Sequence, residues 1–374
     1  MFKNNALLIF ILITSTVEAQ VAFDPEIRCS SNSDILFSFD GSHLFVHDPL
    51  GVDGKGLVKI YKTEDGINYD PIQSLNKEFQ SGFGKSISVT DDLSRILIGA
   101  YKMNEIGKAF LYEKVEKEYT LLRQFNPPNL TERYGWSVAI SGDGNTAVIG
   151  SPHYNFKEEK GAVFIYDLLA DSSASPIILK PENGEHDFGQ QVKTNLDGSI
   201  VAIGTSTSDW RINCEGSISV FKKAEDNYLP LGNRITLSKD TCIHFATEMA
   251  LSHDGLTLAS GLSSNDFSAM VWRYEEDQWK AIGTGLFPFS GGRDHSSKIN
   301  IDPTGNMIAL SKALRKQTGE AIVFRLEEGD WKLMGEKILG DTDHFKSSAY
   351  NFTYDVMLVK ELTGKRLLGF RWEE

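Results

Sequence analysis

The stretch "RYGWSVAISGDGNTAVIGSP" at residues 133–152 decides the fold, because the same layout returns along the chain. An aromatic residue opens most copies, usually before a glycine, and an Asp lies nine residues after that aromatic. The turn position recurs at 40, 92, 143, 197, 254 and 304, so the period is 50 to 57 residues. The other copies are "NSDILFSFDGSHLFVHDP" (32–49), "FGKSISVTDDLSRILIGAY" (83–101), "DFGQQVKTNLDGSIVAIGTS" (187–206), "HFATEMALSHDGLTLASGLS" (244–263) and "DHSSKINIDPTGNMIALSKA" (294–313).

The second half of each copy is as regular as the first. After the turn comes an apolar run such as Ile96–Ala100, then a variable loop, then a glycine with alternating apolar residues. Period-two alternation between Gly and Asp turns predicts β-strands, four in each copy, and no window shows a sustained helical period. The alternating segments are "GLVKIYK" (56–62), "GKAFLYE" (107–113), "GAVFIYD" (161–167), "GSISVFK" (216–222) and "GEAIVFR" (319–325).

Four-stranded units of this length predict an all-β protein with the architecture of a β-propeller. A seventh, shorter copy runs from His344 to Trp372 with three strands, after which the chain stops at Glu374. An unclosed ring would leave a strand edge and an apolar sheet face exposed. We therefore predict a seven-bladed β-propeller in which Val21–Asp24 supplies the outer strand of blade seven, with residues 20–374 as one domain.

The first residues have the pattern of a secretory signal peptide. Lys3 precedes the apolar run Ala6–Ile13, and small residues lead to Ala19, so residues 1–19 are expected to be removed. The apolar run is shorter than the ~20 residues that a membrane span needs. We expect a secreted, extracellular protein with no transmembrane segment.

Composition and motifs exclude several classes of function. The 374 residues carry a formal net charge of −13, which argues against nucleic acid and anionic membranes as partners. "SGFGKSISV" (81–89) ends like a phosphate-binding loop, but Phe79 stands where that loop needs its first glycine. The chain has no H-E-x-x-H, G-x-S-x-G or C-x-x-C motif, so no catalytic signature indicates an enzyme.

The segments "FG…DDLSRILIGAY" and "YG…GDGNTAVIGSP" resemble FG-GAP repeats, the blades of integrin α-subunit heads and of many exported microbial and algal proteins. "DQWKAIG" (277–283) and "GDWKLMG" (329–335) are similar to the outer-strand signature of the secreted relatives. The resemblance implies a β-propeller. The segment "HDPLGVDGKG" (47–56) offers only Asp48 and Asp53 in place of a D-x-[DN]-x-[DN]-G ladder, so the integrin calcium sites do not carry over.

Histidines recur at the entry to the inner strand on blades four to seven. They could ring the channel mouth as metal ligands or acid–base groups. Their offsets from the aromatic position differ, and a slip of one residue turns a strand side chain to the other face, so surface histidines in polar turns are the alternative. No other cofactor is expected. These weak metal candidates are His186, His244, His295 and His344.

Three loops on the same face carry candidate ligand-binding residues. Flat aromatics with polar neighbours suit stacking on sugar rings or anchoring of a protein partner, although they could equally pack over the blade tops. The loops are "SPHYNFKEEK" (151–160), "SDWRINCEG" (208–216) and "FPFSGGRDH" (287–295). Their candidate residues are His153, Tyr154, Phe156, Trp210, Arg211, Phe289, Arg293 and Asp294.

These observations favour a non-catalytic propeller that recognises an extracellular protein or glycan, in adhesion or recognition. The alternative is an extracellular carbohydrate-active enzyme, a hydrolase or lyase, with its site at the channel mouth.

An exported chain can also form disulfides, because the extracellular environment is oxidising. Cys214 and Cys242 fall in loops of adjoining blades on one face, so we predict that they pair and that Cys29 stays unpaired within the chain. Two sequons, at Asn129 and Asn351, predict a glycoprotein if the host is eukaryotic.

Overall fold

All regular elements in the described part of this computed structural model are β-strands. Within those ranges no helix is long and apolar enough to cross a membrane. The absence of helices among them agrees with the missing helical period of the sequence. The structure describes residues 19–23, 27, 34–49, 56–76, 82–101, 107–127, 133–155, 160–181, 187–205, 216–237, 243–263, 269–283, 285–286, 298–312, 320–339, 345–353, 356–361 and 367–373.

Six of the sheets are blades of consecutive antiparallel strands, one blade for each sequence copy. Blades one to three contain β2 (Asp34–Phe37), β3 (His43–Asp48), β4 (Leu57–Lys62), β5 (Asp70–Asn76), β6 (Phe83–Val89), β7 (Arg95–Ala100), β8 (Lys108–Val115), β9 (Glu118–Phe125), β10 (Ser137–Ile140), β11 (Thr146–Asn155), β12 (Lys160–Asp167) and β13 (Ile177–Leu179). Blades four to six contain β14 (Gln191–Thr194), β15 (Ile200–Thr205), β16 (Ser217–Ala224), β17 (Asn227–Pro230), β18 (Ile235–Thr236), β19 (Ile243–Leu251), β20 (Thr257–Ser263), β21 (Ala269–Glu275), β22 (Gln278–Ala281), β23 (Lys298–Ile301), β24 (Met307–Lys312), β25 (Glu320–Glu327) and β26 (Asp330–Leu339). The predicted four-stranded blades are confirmed; in blade four, β17 and β18 both pair with β16.

One further sheet of the described residues combines the two ends of the chain. Its order is β1-β29-β28-β27, so the N-terminal strand forms one edge. β1 pairs antiparallel with β29, from Ala19 opposite Glu373 to Phe23 opposite Gly369. The strand thus lies two residues earlier at its start than the predicted Val21–Asp24. The members of this sheet are β1 (Ala19–Phe23), β27 (Phe345–Asn351), β28 (Val356–Glu361) and β29 (Leu367–Glu373).

In the turn after the inner strand of each of blades one to six, an Asp carboxylate accepts a backbone hydrogen bond. The side chain of Asp143 accepts the Asn145 N–H at 3.0 Å, and the side chain of Asp92 accepts the Ser94 N–H at 2.8 Å. Such short-range hydrogen bonds stabilise the turn between two strands, and Asp and Asn side chains form them more readily than other residues do. In blade six, where Thr304 replaces the Asp, the carboxylate of Asp302 accepts the Thr304 N–H at 3.1 Å instead. The turn chemistry is therefore retained although the residue has moved.

The aromatic residue of each copy packs between two blades. Tyr134 is fully buried, and its hydroxyl lies 2.8 Å from that of Tyr166. The glycine that follows, Gly135, has a φ of +78°, where a Cβ would also lie 2.1 Å from the Lys108 carbonyl oxygen. Apolar clusters of this kind fill each interface between consecutive blades among the described residues. The core is thus divided between blades, and the inner strands face a central channel.

Serines on the inner strands connect neighbouring blades. An inner strand is a sheet edge, so its outward N–H groups need partners beyond the sheet. The Ser86 hydroxyl accepts the Val138 N–H at 3.1 Å, and the Ser137 hydroxyl accepts the Val192 N–H at 3.0 Å. These bonds keep consecutive inner strands in a fixed register around the channel.

Candidate functional site

The structure leaves most of the sequence-predicted site untested. His153 and Tyr154 lie on β11 and His244 lies on β19, while Asn351 lies on β27. β11 continues to Asn155 and pairs again with β12, so the start of this predicted loop is a hairpin extension, which corrects the loop assignment. The following predicted residues lie outside the described residues: Phe156, Trp210, Arg211, Phe289, Arg293, Asp294, His186, His295, His344, Cys29, Cys214, Cys242 and Asn129. No group of three or more potential metal ligands occurs among the described residues.

Charged side chains from five inner strands meet in the channel, and we name them the channel cluster. Lys298 is its centre: its Nζ lies 2.9 Å from Asp34 Oδ2 and 2.6 Å from Glu248 Oε1. These three side chains are about one-quarter to one-third exposed, at 29%, 32% and 23%. Lys298 therefore joins blades five, six and one through the middle of the channel. The members are Asp34 on β2, Lys85 on β6, Lys193 on β14, Glu248 on β19 and Lys298 on β23.

Among the described residues, the two carboxylates form ion pairs with only one of the three lysines of the channel cluster. Burial disfavours the charged ammonium of Lys298, but Asp34 and Glu248 outweigh that effect and raise its pKa. Burial lowers the pKa of Lys85, and Lys298 lowers it further. Burial also lowers the pKa of Lys193, with Glu248 opposing. Neither Lys85 nor Lys193 forms an ion pair with a carboxylate of the described residues.

Lys85 lies against two aromatic rings at one end of the channel. Its Nζ lies 4.5 Å from the ring centroid of Trp136 and 5.9 Å from that of Tyr101. The two rings are 4.6 Å apart and nearly edge to face, and the Arg133 guanidinium lies 5.0 Å from the Trp136 ring. A break in the register of β6 between Phe83 and Ser86 places Lys85 in a bulge, which re-aims its side chain. We call Lys85, Tyr101, Arg133 and Trp136 the aromatic mouth.

Side chains from three blades lie close together at the Asp-turn end of the inner strands. His253 Nε2 of blade five lies 3.6 Å from Asp91 Oδ2 of blade two, and its ring centroid lies 4.5 Å from that of Phe39 in blade one. Burial raises the pKa of Asp91, while His253 opposes the shift. Turn tips from blades one, two and five therefore meet at this end. The aromatic mouth lies at the opposite end of the inner strands.

Sequence reasoning missed the channel cluster, although a signal for part of it was present. Asp34, Glu248 and Lys298 each stand six residues before the turn position of their copy, at 40, 254 and 304. A comparison of inner-strand positions across the copies would have found these three. Lys85 stands at a different offset, and only the bulge in β6 brings it to the cluster.

A second depression lies away from the channel, on blade four. It has a volume of 240 Å³ and includes Lys180, Phe188, Pro230 and Arg234. Lys180 and Arg234 both have interaction partners. The charged side chains of this groove therefore have partners, whereas Lys85 and Lys193 in the channel have no ion-pair partner among the described residues.

Removal of Lys298 tests the energetics of the channel cluster. We expect Lys298→Met to lower the free energy of unfolding by about 1–3 kcal/mol, less than the loss for a fully buried pair, because Asp34 and Glu248 lose their shared ammonium. The matched control is Lys280→Met on β22, whose partner Glu276 is 84% exposed. Surface pairs contribute about 0–1 kcal/mol. Urea denaturation of both variants measures the difference, and equal losses would contradict a central role for Lys298.

Comparisons with known proteins agree with the observed architecture. The model of the FG-GAP repeat family matches residues 129–166, the copy whose sequence decides the fold. No curated protein matches the chain significantly. Three similar solved structures share 11–12% identity with it, so they show the fold alone.

These three structures illustrate the range of proteins with this fold. The β-propeller domain of Cps50 (Swd1) from Myceliophteria thermophila has a TM-score of 0.64 and 11% identity, covering 93% of this chain and 99% of that one. Hydrazine synthase from Kuenenia stuttgartiensis has a TM-score of 0.65 and 11% identity, covering 97% and 99%. The periplasmic gluconolactonase PpgL from Pseudomonas aeruginosa has a TM-score of 0.60 and 12% identity, covering 88% of each chain. Residues 129–166 thus match an FG-GAP repeat, and the four-stranded blades show that the chain has the fold of a β-propeller.

Proposed function

We propose that the protein is an exported, non-catalytic propeller that binds an extracellular protein or glycan at the end of its channel that carries the aromatic mouth. The observation that carries the proposal is the pair of lysines, Lys85 and Lys193, that the channel holds without a carboxylate partner among the described residues. Aromatic rings and charged groups that converge in a concave site are typical of ligand binding. FG-GAP repeats are also the blades of integrin heads, which supports recognition outside the cell.

The alternative, a carbohydrate-active enzyme, has one observation in its favour. Asp34 Oδ2 and Glu248 Oε1 contact the same ammonium, so they lie at most about 5.5 Å apart. Retaining glycosidases place two carboxyl groups about 5–5.5 Å apart. Lys298, however, occupies the space between the two carboxylates, where the scissile glycosidic bond would have to lie. The arrangement therefore suits a structural ion triad better than a catalytic pair.

A binding screen tests this function directly. Residues 20–374 would be applied to a glycan array and to a panel of extracellular proteins, and incubated with polysaccharides whose products are separated by chromatography. We expect binding without product. Product release that Asp34→Asn or Glu248→Gln abolishes would establish the enzyme and overturn the proposal.

We further propose that the sheets form one closed ring of seven blades. β27 packs against β2 of blade one and β24 of blade six, which supports a position of the end-joining sheet between those blades. An apolar cluster that includes Ile35 and Leu358 spans the contact with blade one. Export would remove residues 1–19 as a signal peptide and would leave β1 with four of its five residues.

The Cys214–Cys242 bridge belongs to the same proposal of an exported chain. We expect non-reducing peptide mapping of the secreted protein to recover a Cys214–Cys242 peptide, with Cys29 alkylated and the Asn129 and Asn351 sequons open to glycans. The loop closed by the bridge would stabilise the fold by roughly 3 kcal/mol on the chain-entropy model. A peptide that links Cys29 to either partner would contradict the proposed order of blades.

A further inference from the structure

We infer that the channel binds an anionic sugar unit, one that carries a carboxylate or a sulfate, between Lys193 and the aromatic mouth. The inference deepens the proposed function and rests on it. It names the chemical class of the ligand and the side chains that would recognise it.

The first step is the charge of the channel. The channel cluster contains three ammonium groups and two carboxylates, and Lys298 engages both carboxylates. The formal charge of the channel cluster is thus +1, three ammonium groups less two carboxylates, although the whole chain has a formal net charge of −13. An incoming anion is drawn to such a local site more than to the surrounding surface.

The second step is the free-energy cost of burying the two remaining lysines. Lys85 and Lys193 are half-buried among the inner strands, and burial lowers the pKa of each. Enclosing an ammonium without a counter-ion is unfavourable, and a fold gains stability by replacing it with an apolar side chain. A ligand anion would offset that cost in the bound state. Charges that a fold retains at a cost to its stability are candidates for function.

The third step is the aromatic mouth. Trp136 and Tyr101 are half-buried rings at the end of the inner strands opposite the Asp turns, and Lys85, which belongs to the channel cluster, lies against both of them. Flat aromatic rings pack against the apolar face of a sugar, while a neighbouring ammonium pairs with its acidic group. A bare inorganic anion would use the lysines but not the rings. The combination therefore favours an anionic sugar over a simple ion.

The Asp-turn end of the inner strands bears on the direction of entry. Asp91, His253 and Phe39 meet across the ring there, and Asp91 would repel an anion. An acidic oligosaccharide would therefore enter past Trp136 and reach Lys193 with its leading unit.

Titration calorimetry with the secreted full-length mature protein tests the inference. The probes are oligogalacturonate, a sulfated galactan oligosaccharide and a neutral galactan oligosaccharide of equal length. We expect at least one acidic probe to bind at least tenfold more tightly than the neutral one. Lys193→Met and Lys85→Met should each weaken that binding about tenfold, as loss of one charge-assisted contact does. The control is Lys280→Met, which removes an equal charge on the outer strand β22.

Melting temperature separates a binding role from a structural one. Because Lys193 has no ion-pair partner among the described residues, Lys193→Met should melt at or above the temperature of the wild-type protein while it loses affinity. A lower melting temperature with unchanged affinity would overturn the inference, as would equal binding of acidic and neutral probes. If the wild-type protein binds neutral glycans or a protein but neither acidic probe, the inference fails and the proposed function stands. Turnover of a probe would overturn the proposed function itself.

Discussion

Deletion of residues 20–27 is expected to destabilise the protein by at least about 3 kcal/mol and to cause aggregation. The deletion removes most of β1, which pairs with β29 over five residues, and so exposes the outer edge of the end-joining sheet. It also removes Ile27, which is 2% exposed and packs with Val356 and Leu358. The Ile27 carbonyl oxygen accepts the Leu367 N–H at 3.3 Å, so a backbone bond is lost as well. Thermal melting and size-exclusion chromatography measure the outcome.

Point variants separate the packing of Ile27 from the pairing of β1. Ile27→Ala should lower the free energy of unfolding by about 2–4 kcal/mol, because a buried Ile side chain is lost and a cavity remains. The matched control is Ile72→Ala on β5, where the side chain is 41% exposed. A surface substitution of this kind changes stability by about 0.5 kcal/mol or less. If the deletion leaves melting and solubility unchanged, the ring is closed by another segment.

Gly161→Ala is expected to cost about 3 kcal/mol, at the upper end of the range for overpacking. A Cβ at Gly161 would lie 1.8 Å from the carbonyl oxygen of Phe188 in the next blade, which is backbone and has no rotamer to move into. Blades three and four would have to separate to admit it. Gly107 and Gly56 repeat this contact, at 1.9 Å from the Tyr134 oxygen and 1.7 Å from the Phe83 oxygen. The same substitution at Gly107 should therefore have a similar effect.

Gly329→Ala is the control for the change of residue type. Gly329 has a φ of +82° with nothing within 4 Å of its Cβ position, so only backbone strain opposes alanine there. That strain costs about 1 kcal/mol. Guanidinium denaturation of the two variants and the wild-type protein gives the comparison. Equal losses at Gly161 and Gly329 would show that blades three and four separate easily.

The sequence by itself determined the units of the fold. The repeated turns, the aromatic residues and the period-two runs predicted four strands in each copy, and the six sheets of consecutive strands confirm this. This prediction was possible because turn chemistry and strand alternation are local properties of the chain. In the sequence, the glycines that contact a neighbouring blade are recognisable only as a residue that recurs in each copy. Their role is hidden because the backbone oxygen that each one contacts belongs to the next blade.

The tertiary structure alone decided what faces the channel. Lys298 and Asp34 are 264 residues apart in sequence, and their contact exists because the inner strands of different blades surround one space. The bulge in β6 turns the Lys85 side chain toward Tyr101 and Trp136, an orientation that strand periodicity does not predict. Whether a lysine is paired depends on several blades at once, since the members of the channel cluster come from five different blades. For that reason the sequence predicted a functional site in the loops, whereas the described structure has its charged cluster on the inner strands.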